Sequence, residues 1–131
     1  MERDTVLPCA GPVVNTYVAP GLHLLIDMHG AKNLRDQALI ERALREAATA
    51  CGATILDVKL HSFGEGAGIT GVAILAESHI SIHTWPETGF AAIDIFMCGG
   101  CDPHRAMPVL EAAFTPGRTS LSAHKRGEDL R

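Results

Sequence analysis

The sequence predicts an α+β fold, a two-layer sandwich of helices on a largely antiparallel sheet. Three observations lead there. Between Asp36 and Cys51 the apolar residues Leu39, Ile40, Ala43, Leu44, Ala47 and Ala48 recur at helical spacing. The runs 69–75, 80–85 and 90–97 are β-prone and follow one another across short turns, the layout of an antiparallel meander. No internal repeat is visible, and the whole order reads strand, helix, three or four strands, helix, strand.

In chain order, residues 1–20 hold three prolines and little periodicity, so they read as an irregular N-terminal arm ended by Pro20-Gly21. A single domain is expected over 21–131. His23–Met28 is its first strand, stopped by His29-Gly30. The helix over 36–51 turns Asp36, Glu41, Arg42, Arg45 and Glu46 to the polar side and is closed by Gly52. A second strand runs from about Thr54 to Phe63, where Gly64-Glu65-Gly66-Ala67-Gly68 breaks it. Glycines at that density suit a sharp turn or close approach to a ligand, and equally a plain flexible loop. Ile69–Leu75, Ile80–Trp85 and Phe90–Met97 are the next strands, the last two joined through Pro86–Gly89. After Cys98-Gly99-Gly100-Cys101, the run Pro103–Phe114 offers a helical face of Ala106, Met107, Leu110, Ala113 and Phe114, with Pro108 marking a kink or the true start. Thr119–Ala123 is a last short strand before a polar tail.

A chain that is 47% hydrophobic and 20% charged has an ordinary globular balance, which excludes disorder. The longest apolar run, Val72–Ala76, is far below a membrane span, and Met1-Glu2-Arg3-Asp4 lacks the layout of a signal peptide, so a cytoplasmic protein is expected. With a net charge of −4 and scattered Lys and Arg there is no basic stripe for nucleic acid; the expected partner is a small molecule. A chain with no secretion signal and a workable core has no need of disulfides, so Cys9, Cys51, Cys98 and Cys101 read as thiols, Cys51 as a small buried hydrophobe.

The chemistry concentrates in Ala76–Glu87, where a serine pair, two histidines, two carboxylates and the only tryptophan share one β-prone segment. His79 and His83 have a spacing that binds metal on a helical turn, but their neighbours favour a strand. Cys98 and Cys101 have CxxC spacing without a second pair. Glu77-Ser78 admits another chemistry. A serine hydroxyl held against the preceding carbonyl can attack it in an N-to-O acyl shift, and a base, for which His83 is a candidate, can eliminate the ester, leaving a pyruvoyl group.

Glu77-Ser78-His79, Ile82-His83-Thr84-Trp85-Pro86-Glu87 and Gly89-Phe90-Ala91-Ala92-Ile93-Asp94-Ile95-Phe96-Met97-Cys98-Gly99 resemble the short prokaryotic S-adenosylmethionine decarboxylase proenzymes. The resemblance extends through Gly21–Gly30, Ala53-Thr54, His61, Phe63 and Gly68-Ile69-Thr70-Gly71, and covers most of the chain from Gly21 to Gly127. It implies the corresponding α+β sandwich, cleavage between Glu77 and Ser78, a pyruvoyl group made from Ser78, and no metal. His83, with Thr70, would assist processing, and Cys98 would be the proton donor in turnover. Phe63 would stack near the adenine and sulfonium, and Glu87 would bind the ribose hydroxyls. Those roles suit the side chains: a cation fits an aromatic face, and two hydroxyls fit a carboxylate.

The same resemblance implies a Schiff base between the substrate amine and the pyruvoyl ketone, loss of carbon dioxide, and reprotonation of the α-carbon. Decarboxylated S-adenosylmethionine supplies aminopropyl groups for polyamines such as spermidine. Family members are dimers with active sites at or near the interface, so a homodimer of processed protomers is expected. Thr70 stands where serine is usual, and the loop 64–68 differs from a shorter, proline-containing version in many relatives. Glu65 in that loop could attract a basic side chain, which keeps arginine or ornithine open as substrates. A non-enzymatic metal or redox module using His79, His83, Cys98 and Cys101 is the third possibility.

Overall fold

The computed structural model describes residues 20–128, so the expected arm lies outside the described residues except for Pro20. Six strands form one sheet: β1 (Gly21–His29), β2 (Ile55–Ser62), β3 (Ile69–Leu75), β4 (Ser78–Trp85), β5 (Phe90–Cys98) and β6 (Arg118–Arg126). Two helices, α1 (Gln37–Ala50) and α2 (Ala106–Phe114), complete the fold. The strand order is β2-β3-β4-β5-β1-β6, with every neighbour antiparallel. The meander therefore covers four strands, and β1 closes on its far side against β5.

Asp36 caps α1 as its carboxylate accepts from the Leu39 N–H, and the apolar stripe Ile40, Ala43, Leu44, Ala47, Ala48 is buried as its spacing demands. α2 begins at Ala106, so Pro108 falls in the first turn, where a missing N–H costs nothing and no kink is needed. Both helices pack on one sheet face, formed by residues such as Ile26, Ile80, Ile82 and Ile95, with Leu110 and Phe114 in the same core. Gly71 makes that packing possible, since a Cβ there would lie 2.7 Å from Leu60 Cδ2 and 3.4 Å from Leu44 Cδ1.

The opposite face has no helix among the described residues. It presents Leu25, Ile74 and Trp85, each more than two-fifths exposed, beside polar residues of β1, β4 and β5. β6 is nine residues long where five were expected, because as an edge strand it has little buried face to impose an apolar alternation.

The expectation of four thiols needs correction. Cys51 and Cys98 are free, whereas Cys101 is disulfide-bonded, and Cys9 lies outside the described residues. A workable core removes the need for a disulfide but does not keep two sulfurs apart. Cys51 is the buried hydrophobe expected of it: its thiol donates to the Pro103 carbonyl at 3.9 Å, and burial pushes it up to about 11. Among the described residues no helix is long and apolar enough to cross a membrane.

Candidate active site

Leu75 pairs with Ser78, so Ala76 and Glu77 are the whole of a two-residue hairpin loop. Glu77 takes φ 61°, in the left-handed region where a residue with a Cβ sits at a cost of ~1–2 kcal/mol. The peptide carbonyl of this strained residue is the one that Ser78 follows. Ser78 is buried at the first position of β4, and its hydroxyl donates to Cys98 Sγ at 3.7 Å. The Cys98 thiol in turn donates to Glu77 Oε1 at 3.6 Å. Burial raises the thiol above its ordinary range, the nearby Glu77 carboxylate adds to the rise, and the hydrogen bond from Ser78 only partly opposes it. Cys98 is therefore a protonated, half-buried thiol at neutral pH.

His83 is elsewhere. It lies five residues along β4, roughly 17 Å from Ser78 by strand rise, at the end of the strand where it pairs with Thr70. Thr70 Oγ1 and His83 Nδ1 share a hydrogen bond of 3.1 Å. The other expected substrate residues gather at this end too. Phe63 follows β2 and is 63% exposed, edge-on to His61 with ring centroids 4.6 Å apart. Glu65 is exposed in the glycine-rich loop, which Arg35 Nε holds through the Gly66 carbonyl at 3.0 Å. Gly68 closes that loop where a Cβ would come within 2.1 Å of the Thr84 carbonyl, a contact only glycine permits. Glu87 is exposed in the turn after β4. One chain thus brings Glu77, Ser78 and Cys98 together at one end of the sheet and Thr70, His83, Phe63, Glu65 and Glu87 towards the other.

Between the two ends lies a network that the residue-by-residue reading missed. Asp94 Oδ2 accepts from His79 Nε2 at 2.9 Å and from His23 Nε2 at 2.7 Å, while Ser81 donates to Oδ1. Arg126 reaches His23 Nδ1 at 3.0 Å. Burial alone would raise the Asp94 carboxyl, but the hydrogen bonds from Ser81, His23 and His79 outweigh it and hold the group below the usual carboxylate range. A carboxylate in the middle of the apolar run Phe90–Met97 was the available signal.

His79 and His83 sit roughly 14 Å apart by strand rise, too far to share an ion, and Cys101 is committed to its disulfide, so the metal or redox module does not assemble. The group that does converge is His23, His79 and Asp94, with ligand atoms within 4.8 Å of one another. Its protons oppose metal binding: a guanidinium only donates, so Arg126 makes His23 Nδ1 the acceptor and leaves the proton on Nε2, the atom an ion would need.

The family model for S-adenosylmethionine decarboxylase matches residues 22–127. An S-adenosylmethionine decarboxylase proenzyme of Methanococcus maripaludis strain C7 is 46% identical over 110 residues, covering 82% of this chain and 89% of that protein. The proenzyme of Thermomicrobium roseum is 41% identical over 108 residues, covering 82% and 93%. The crystal structure of the adenosylmethionine decarboxylase from Aquifex aeolicus VF5 superposes with a TM-score of 0.75 at 35% identity, over 83% of this chain and 92% of that one. Sequence, fold and the Glu77-Ser78 turn lead to the same place, and the chain belongs to the S-adenosylmethionine decarboxylase family.

Proposed function

We propose that this protein cleaves itself between Glu77 and Ser78 and then decarboxylates S-adenosylmethionine, feeding polyamine synthesis. The observation that carries the proposal is the turn itself: a left-handed non-glycine residue immediately before a buried serine whose hydroxyl touches a protonated thiol. A left-handed residue held at the tip of a two-residue loop is a sparsely populated conformation, and opening the chain at its carbonyl releases that strain. The relatives' printed names, as proenzymes acting on S-adenosylmethionine, support both halves of the reading.

The donor set fits a pyruvoyl group at position 78: it would keep the serine's place at the strand start, beside Cys98, and needs no metal. Such a group supplies a ketone that takes up the substrate amine and an electron sink for the departing carboxylate. The chain's own residues do the rest. Cys98 holds a proton at Sγ, 3.7 Å from the present Ser78 Oγ, and its raised affinity for that proton keeps it loaded at neutral pH. Phe63 offers an exposed ring to a sulfonium, and Glu87 a carboxylate to ribose hydroxyls. Glu65, on which an arginine or ornithine reading rests, is one exposed carboxylate in a loop and gives that reading no support.

The half-sites call for a second copy. A twofold axis through the helix-free face would set the Ser78–Cys98 end of each protomer against the Thr70–His83 end of its partner, twice over, and cover Leu25, Ile74 and Trp85. The working form is thus a homodimer with composite sites. Incubating the purified protein with S-adenosylmethionine, arginine and ornithine separately tests the function. Two fragments meeting at residues 77 and 78, with carbon dioxide released from S-adenosylmethionine alone, is the expected result. Uncut protein that still decarboxylates would refute it.

A further inference from the structure

Cleavage at Glu77 would turn β4 into a chain that begins at residue 78, and a strand's first residues fray unless something ties them down. His79 is the next residue. Its Nε2 donates to Asp94 at 2.9 Å, and its ring stacks on Phe96 with centroids 6.1 Å apart and planes 21° apart. Both partners belong to β5, the strand that ends in Cys98. Asp94 is itself immobilised by Ser81 and by His23, and His23 by Arg126, so the tie runs from β4 through β5 and β1 to β6. None of these contacts involves Glu77 or Ser78, and cleavage leaves them intact.

We infer that His79, held by Asp94, is a positioning residue that fixes the new chain end against Cys98 after cleavage. The inference rests on the decarboxylase reading and deepens it. Before cleavage the hairpin loop already holds Ser78 to β3 by covalent connection, so the tie is redundant for processing. Afterwards that covalent hold is gone, and the side-chain tie adds to the backbone pairing of Ser78 with Leu75 and of His79 with Ile74 and Phe96 in keeping position 78 against the thiol. A misplacement of about 1 Å at that stage costs up to about a hundredfold in rate.

The test compares wild type, His79→Ala, His79→Gln and Asp94→Ala as purified dimers. Gln keeps an N–H that can reach Asp94; Ala does not. For His79→Ala we expect self-cleavage within about twofold of wild type, kcat lower by about 10- to 100-fold, and KM nearly unchanged. In the processed protein, backbone amides of 79–81 should exchange hydrogen about tenfold faster, with no matching change before cleavage. Gln should recover much of both losses, and Asp94→Ala, which removes the acceptor, should behave like His79→Ala. Wild-type kcat and exchange in His79→Ala would overturn the inference. So would an equal slowing of self-cleavage, loss of the dimer, or failure of Gln to rescue, each of which marks a general structural role. An uncut, inactive wild type is a separate outcome: it overturns the decarboxylase reading and this inference with it.

Discussion

The two ends of β4 are built for different work. At its start, Glu77 is strained, Ser78 is buried and Cys98 is held within 3.7 Å, so little there is free to adjust. At its far end His83 is exposed and hydrogen-bonded to Thr70, and the flanking elements are a turn and a glycine-rich loop. In the proposed function the first end carries the reacting groups and the second the substrate contacts. Roughly 17 Å of strand keeps the two groups apart within one chain, and the proposed composite site follows from that separation.

The largest effect should come from the reactive end. Ser78→Ala removes the hydroxyl that would attack the Glu77 carbonyl, so the chain should remain in one piece on a denaturing gel, with turnover below about a thousandth of wild type. Mixed dimers test most directly whether the two ends work across protomers. If Ser78→Ala and His83→Ala protomers are co-expressed, half the dimers pair one of each, and each such dimer contains one fully wild-type composite site. About a quarter of wild-type activity is expected from two inactive parents. No recovery, with mixed dimers demonstrated by two affinity tags, would place Ser78 and His83 in one protomer's site.

Cys98→Ala should leave cleavage intact while lowering kcat by about 10²–10⁴, the range of a lost proton donor. Because burial raises the thiol, its proton is retained above the ordinary thiol range, and kcat should fall only when pH rises past that elevated value. A basic limb at or below the ordinary range, absent in Cys98→Ser, would show that the burial is lost in the working form. At the contact end, Phe63→Ala removes a cation–π surface of about 1–2 kcal/mol, so KM for S-adenosylmethionine should rise by about 5- to 30-fold with cleavage unaltered. Thr70→Ser should be the mildest change. It keeps the hydroxyl that meets His83 at 3.1 Å and removes only a methyl that restricts the rotamer, so processing should change by less than about twofold.

Much of the fold was legible because its signals are local. The stripe from Leu39 to Ala48 can be buried only as a helix, and the β-prone runs from Ile69 onward fall where the strands lie. β6 was truncated in the sequence reading because an edge strand carries little alternation, and the start of β4 was set two residues late because Ser78 and His79 do not read as apolar strand residues. Glu77-Ser78 stood out through its neighbours. Asp94 did not acquire a role, because its importance comes from three donors on two other strands and its own neighbourhood reads as an ordinary core run.

Residue types and spacing alone supply the raw material: a Glu77-Ser78 pair, a thiol at Cys98, an aromatic at Phe63, a carboxylate at Glu87, and enough apolar periodicity for a sandwich. Those properties belong to residue types and short-range spacing. Where they lie in space is set by tertiary pairing. Antiparallel register sets Cys98 beside Ser78 and Thr70 beside His83, and the fixed rise of β4 then keeps the two pairs apart. Register follows from turn length and strand pairing rather than from residue types taken singly, so residues legible as one list come to lie at two ends of the sheet.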